Sequence, residues 1–317
     1  AMPPFLRAAL LALPLVLAGA ASAQEMRIVS LGTGGIGGNY FAMGRALCAA
    51  VQERAPADLR CSPEPTPGSH YNLVALAEGG MELALVQSDW QRDAVDGTGR
   101  FEGPAAGLRA IAALYPEAVT IVVRSDAGIA RIDDLRGMRI DIGDASTARR
   151  ATNARLLRVL GFTPEEIDRM PGLASAAVAQ ELCAGRVDAS MIVIGHPSEA
   201  IGQTLEACDL RLLPVDRPRL RAVVDANAQF SAYTLPAGTY AGEMDDVPML
   251  AVTATLVVRD GVADEVVALF ARTLAEDAAA ISRRAPVFRP RDARAMAREG
   301  LTAPLHPAAA AVFGAAD

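Results

Sequence analysis

The chain repeats one alternation: a short apolar run of strand length, a loop of glycines or polar residues, then a segment of helical length. Residues 26–31, 58–61 and 83–86 read as strands, with helices over 40–54 and around 72–77 between them. Alternation of this kind implies parallel strands with helices packed on the sheet faces. Two more apolar strands, 108–114 and 119–124, flank Pro116, and the pattern then restarts. Strands at 138–142, 187–194 and 210–215 are interleaved with helices at 152–160 and 174–183. A Pro- and Gly-rich stretch at 236–248 leads to a strand at 250–258, a long amphipathic helix at 262–281 and two shorter helical segments. At 317 residues the chain is also long for one core, since single cores stop growing near ~250–300 residues. The restart predicts two α/β lobes, 24–114 with 246–317 and 115–245, joined by a hinge. A cleft between such lobes is where a small ligand binds, and the loops that close strands at their carboxyl ends are where its contacts lie.

Composition narrows the partner. The 30 basic residues, all of them Arg, face 37 acidic ones, for a formal charge of -7. A nucleic-acid partner needs a basic surface for counterion release, and neither the balance nor any local run supplies one. Three His and four Cys exclude a Cys- or His-rich zinc module.

The N-terminus predicts export. Arg7 precedes an uncharged, mostly apolar run from Ala8 to Ala21, within the ~7–15 residues of a signal-peptide core and too short for a membrane span. Ala21-Ser22-Ala23 matches a cleavage site, giving a signal peptide over 1–23 and a mature start at Gln24; Ala1 ahead of Met2 reads as a cloning remnant. A periplasmic location makes the even count of Cys48, Cys61, Cys183 and Cys208 read as disulfides. Three connectivities are open. The sequential pairs are favoured because each would join neighbouring elements of one α/β unit.

The strand-to-helix loops carry the candidate binding residues. Gly32, Gly34 and Gly37 spell GxGxxG between a strand and a helix, the setting of a dinucleotide site, which makes an exported NAD-dependent oxidoreductase one alternative. That site also needs an acid about 20 residues further on to hold the ribose, and the first acid at the end of the second strand is Glu64. Otherwise the loop offers bare backbone N–H groups to an anionic or polar ligand, or is a tight turn only. Ser69 and Ser88 each open a helix, and capping is the plain reading of either. In the second unit, Arg149 and Arg150 sit beside a helix start, where acids are normally preferred; that conflict points to a bound anion gripped by a guanidinium. No GxSxG elbow, convincing Ser-His-Asp set, metal motif or acid/base pair supports an enzyme.

Taken in order, GTGG, CSPEPTPGSHYN, VQSDWQ, LYPE, GDASTARRAT, ELCAGRVDAS, IGHP and GLTAPLHP resemble the TAXI-type solute-binding proteins of TRAP transporters over essentially the whole mature chain. The resemblance implies a periplasmic-binding-protein-like α/β fold that closes on a small solute. A separate TRAP membrane complex then carries the solute inward, and the receptor has no cofactor and no chemistry of its own. Carried over by motif, the cleft would be lined by Gly34, Gly35, Asn39, Ser69, Tyr71, Gln87, Ser88 and Trp90 from one lobe, and by Ser146, Thr147, Arg150 and His196 from the other. Arg150 would pair with a carboxylate, Ser146 and Thr147 would orient it, and Gln87, Ser88 and Tyr71 would read the rest. A small organic acid or amino acid, glutamate-like or a C5 dicarboxylate, is the implied solute, and a monomer is expected. The family pattern also agrees with the sequential cysteine pairs. Two departures are local: Ser146-Thr147-Ala148-Arg149-Arg150 stands where the family commonly has GSGQR, so that two glycines are replaced, and Pro67 replaces a usual Gly. A bilobed sensor subunit that signals to a membrane kinase is the other alternative, with similar ligands.

Overall fold

The computed structural model describes residues 26–145 and 147–315. The signal-peptide reading and Ser146 fall outside the described residues. Among those residues nine strands form one mixed sheet: β1 (Arg27–Gly32), β2 (Leu59–Glu64), β3 (Leu83–Gln87), β4 (Leu108–Arg124), β5 (Ile140–Asp141), β6 (Ala189–Ile194), β7 (Leu210–Leu212), β8 (Ser231–Leu235) and β9 (Val247–Arg259). The strand order is β2-β1-β3-β9-β4-β6-β5, with β7 on β4 and β8 on β9. Pairings β1–β2, β1–β3 and β5–β6 are parallel, whereas β9 is antiparallel to both β3 and β4. Helices α1 (Asn39–Arg54), α2 (Ser69–Ala77) and α3 (Ser88–Asp96) follow the first three strands. The middle of the chain adds α4 (Ala148–Val159), α5 (Pro164–Asp168), α6 (Val178–Cys183), α7 (Glu199–Ala207) and α8 (Arg217–Ala226). The C-terminal part supplies α9 (Asp264–Glu276), α10 (Ala278–Arg284), α11 (Ala293–Met296) and α12 (Pro307–Phe313).

The two strands expected around Pro116 are one strand, β4, of 17 residues. Proline lacks an N–H for the ladder and is tolerated in a strand mainly at edges and bulges. Here the register against β9 shifts twice just upstream, between Ala110 and Ala112 and between Ala113 and Tyr115, and Pro116 then lies opposite Thr253. The bulges absorb the misfit that a straight ladder would not. Both β4 and β9 therefore run the length of the sheet. Along them the apolar core changes partners: Ile111, Leu114 and Tyr115 of β4 and Ala254 and Leu256 of β9 pack with α1, α9 and α10, whereas Val119, Ile121, Leu250 and Val252 pack with residues of α4 and α8. Glu117 and Thr253 occupy the waist between these clusters, both buried.

The expected helix over 262–281 is broken at Asp277, which ends α9 and begins α10 while its carboxylate takes the Arg54 guanidinium. The strand expected over 138–142 shrinks to two residues. Asp141 accepts from Gly143 N (2.9 Å), Leu173 N (2.8 Å) and Ser190 Oγ (2.7 Å), and those bonds turn the chain off the ladder. Disulfides join Cys48 of α1 to Cys61 of β2, and Cys183 of α6 to Cys208 just past α7, as expected. No helix among the described residues is long and apolar enough to cross a membrane.

Candidate functional site

A cavity of about 240 Å³ opens at the waist of the sheet. From the first three βα units it is lined by Gly34, by Gly38, Asn39 and Tyr40 at the start of α1, by Gly68 and Ser69 at the start of α2, and by Gln87 at the end of β3. Ala148 at the start of α4, and Val193 and Ile194 at the end of β6, form the opposite wall. Glu117 on β4 also lines it. The N-cap residues of α1, α2 and α3 are Gly38, Gly68 and Gln87, and none caps its helix with a side chain. The first N–H groups of a helix have no intrahelical partner and carry the positive end of its dipole, so converging helix starts favour a negative group on a ligand.

Glu117 is the ionisable acid of this lining. It is 6% exposed, and its Oε2 accepts the Tyr40 hydroxyl at 2.8 Å. Burial pushes its carboxyl up to about 7, against the opposing pull of hydrogen bonds from Tyr40 and Gln87. The Tyr40 hydroxyl is itself raised by burial and by Glu117. Neither Glu117 nor Tyr40 stands out from the pattern of loop residues. The signal that marks Glu117 is a lone acid inside the apolar run of β4, immediately after Pro116.

Hydrogen bonds bridge the cavity walls. Asn39 Nδ2 donates to Gly195 O at 3.4 Å, Ser88 Oγ to Gln229 O at 2.9 Å, and Arg100 to Ala145 O at 3.1 Å. The strongest bridge joins α4 to α3: Thr152 Oγ1 donates to Asp89 at 2.6 Å and Gln87 Oε1 at 3.4 Å, and Arg155 reaches both Asp89, at 2.6 Å, and Asp93. Asp89 is fully buried, and desolvation raises its pKa even though Arg155 pulls it down.

The structure brings Gly34, Asn39, Ser69 and Gln87 to the cavity. Other expected residues are placed elsewhere. Gly35 is in an exposed turn whose carbonyl takes Gly38 N, and Tyr71 is 50% exposed outside the lining. Ser88 Oγ is occupied, donating to Gln229 O and accepting Thr253 N, each at 2.9 Å. Trp90 is 1% exposed, against His70 and Phe101. Thr147 caps α4, accepting Arg150 N. The Arg150 guanidinium, expected to hold a carboxylate, instead donates to the carbonyls of Gly143, Ile167, Met170 and Pro171 at 3.3–3.5 Å, which satisfies the end of α5 and its following loop. Arg149 likewise turns inward, to Met191 O, Ser190 Oγ and Asp141. His196 is buried between Thr120 Oγ1 (2.8 Å from Nε2) and the Tyr240 hydroxyl (2.7 Å from Nδ1), stacked on Tyr233, and burial lowers its pKa to about 4. It is a neutral packing group outside the lining.

The glycine spacing does not meet the demands of a dinucleotide site. A Cβ at Gly32 would come within 2.5 Å of Met81 Sδ and would displace that side chain, but a Cβ at Gly37 would touch nothing within 4 Å. The third glycine of a dinucleotide loop is needed for close helix-to-strand packing, and Gly37 makes none. Glu64 accepts Ser62 Oγ at 2.6 Å. Among the described residues no cluster of His, Cys, Asp and Glu is arranged to hold a metal ion.

The architecture is an α/β fold with a mixed sheet, similar to that of periplasmic binding proteins. It is similar to a TctC solute binding protein from Polaromonas, with 18% identity over 83% of this chain and 89% of that one and a TM-score of 0.52. It is also similar to MatC from Rhodopseudomonas palustris, solved with bound malate, with 15% identity over 81% of this chain and 87% of that one and a TM-score of 0.53. At these identities the likeness establishes the fold. Residues 31–314 match the NMT1-like family, and the chain belongs to that family.

Proposed function

We propose that this chain is an exported solute receptor of the TAXI type, which binds a small carboxylate-bearing solute in the waist cavity and delivers it to TRAP membrane subunits. One observation carries the reading: three helix starts without side-chain caps converge on a single small cavity, which Ala148 of α4 and Val193 and Ile194 of β6 close from the other side. In this reading 24–114 with 246–317 forms one lobe, 115–245 forms the other, and β4 and β9 are the hinge. The solute's carboxylate lies against the backbone N–H groups of the helix starts, with Asn39, Ser69 and Gln87 orienting it. A ligand shifts the equilibrium toward the closed form only by binding that form better. Arg150 braces the loop that carries the α4 wall and does not pair with the solute.

A thermal-shift screen of small organic acids and amino acids tests this. At about 100 times its dissociation constant a specific ligand adds about 2.7 kcal/mol of stability. Replacing Ala148, which lines the cavity, by Trp fills the space and should abolish the shift without lowering the unliganded Tm by more than a few degrees. A carboxylate whose shift survives Ala148→Trp binds elsewhere and overturns the assignment, as does a screen in which no carboxylate binds.

A further inference from the structure

The cavity presents a mismatch to a purely anionic cargo. Among its described lining residues the charged side chain is an acid, Glu117, and no Arg contributes to the electrostatic environment that sets its titration. The Tyr40 hydroxyl of α1 donates to it at 2.8 Å, Gln87 at the end of β3 also hydrogen-bonds to it, and the Tyr115 hydroxyl of β4 and the Asp89 carboxyl of α3 are within electrostatic reach. Asp89 is already paired, its Oδ2 taking Arg155 at 2.6 Å and Thr152 at 2.6 Å. Glu117 therefore lies beside the solute with two phenols, an amide and a committed acid around it, and without a counter-charge. A second carboxylate from the solute would meet a like charge, or force Glu117 to stay protonated. A protonated amino group would supply the missing partner and leave the solute's carboxylate to the helix starts.

We infer that Glu117 of β4, held by the Tyr40 hydroxyl of α1, is the specificity-determining residue for a protonated amino group of the solute, so that the cavity selects zwitterionic amino acids over the corresponding oxo acids and dicarboxylates. The inference rests on the receptor reading above and names the chemical class that this receptor takes. It also fixes a proton linkage. With the carboxyl near 7 in the empty cavity, about half of the molecules carry the Glu117 proton at neutral pH. An amino group that pairs with the carboxylate lowers that pKa and expels the proton, so amino-acid affinity rises about tenfold from pH 6 to pH 8. A dianion holds the proton on, and its affinity falls by about the same factor over that range.

The experiment is calorimetry of the full chain with L-amino acids against their 2-oxo acid counterparts, and with glutarate, at pH 6 and pH 8 in buffers of differing ionisation enthalpy. The expected result is an amino acid bound at least tenfold more tightly than its oxo acid at pH 8, with about half a proton released at pH 7. Glu117→Gln should erase the proton release and the preference. Tyr40→Phe, which removes one hydroxyl, should move the midpoint of the pH dependence upward because the carboxylate loses a donor. Preferential binding of oxo acids or glutarate, or a preference that survives Glu117→Gln, overturns the role of Glu117 and leaves the receptor reading intact. Failure of every amino acid, oxo acid and dicarboxylate to bind overturns both.

Discussion

Arg155 offers the sharpest test of how the cavity walls are held together. Its side chain is 20% exposed and pairs with Asp89, whose side chain is 0% exposed, so removing the guanidinium strands a buried carboxylate. Arg155→Met keeps the aliphatic stem and deletes the charge. Breaking a buried pair by taking away one partner costs about 3–5 kcal/mol. The retained Thr152 bond, 2.6 Å from Asp89, places the expected loss near the lower figure, about 3 kcal/mol at pH 8. For a chain of this size that lowers Tm by about 5 °C. The pH dependence has a definite sign. Burial already raises Asp89 above its unfolded value, so its favourable, protonated form is fully present at low pH and is lost as pH rises through the folded pKa. Without Arg155 that pKa rises further, Asp89 stays neutral over more of the acid range, and the loss is smaller at pH 5 than at pH 8. Urea unfolding of both proteins at pH 5 and pH 8 measures this directly, and Asp89→Asn placed on Arg155→Met should recover most of the deficit. A loss below 1 kcal/mol at pH 8, or equal losses at the two pH values, refutes the reasoning.

Two further outcomes follow from the geometry. His196 is neutral and buried with its pKa lowered to about 4, against an ordinary value near 6.5; its stabilising contribution is full above pH 6.5 and about 3 kcal/mol of it drains away as pH falls toward 4, a loss that His196→Gln should flatten in acid unfolding curves. Replacing the Cys183–Cys208 pair, which closes a separation of 25 residues, by two serines should cost about 3 kcal/mol, with the Cys48–Cys61 pair, at 13, costing slightly less; equal stability of oxidised and doubly substituted chains in urea would contradict both.

Much of the architecture is legible in local pattern. The runs that become β3, β6 and β9 are nearly continuous apolar segments, and such segments name themselves. Helix α5 is a legible element that the pattern of strands obscures: Pro164 stands at its first turn, and Thr163 and Glu166 form a reciprocal capping box. The site is less legible, for identifiable reasons. Arg150 at a helix start reads as an anion grip, but its direction is set by carbonyls around residues 167–171 that approach only when α5 packs beside α4. Ser88 opens a helix next to the cavity, yet its hydroxyl is consumed by Gln229 and Thr253, both distant in sequence. Glu117 is hidden differently. One acid in a strand carries no periodic signal, and its meaning depends on the Tyr40 hydroxyl brought against it from α1.

The central position of β9 has a consequence for how the molecule is made. Leu83 pairs with Leu31 on one side and Val258 on the other, so β3, already beside β1, waits for its second neighbour until more than half of the chain has been added after it. At about 5–20 residues per second that wait is on the order of ten to thirty seconds. Contacts so remote in sequence also carry a heavy loop-closure entropy and form slowly. The N-terminal βα units are thus synthesised with one sheet edge bare, and the nascent polypeptide stays pliant until its last strand threads into the middle. Any translocation apparatus that requires an unfolded client would find that interval supplied by topology alone.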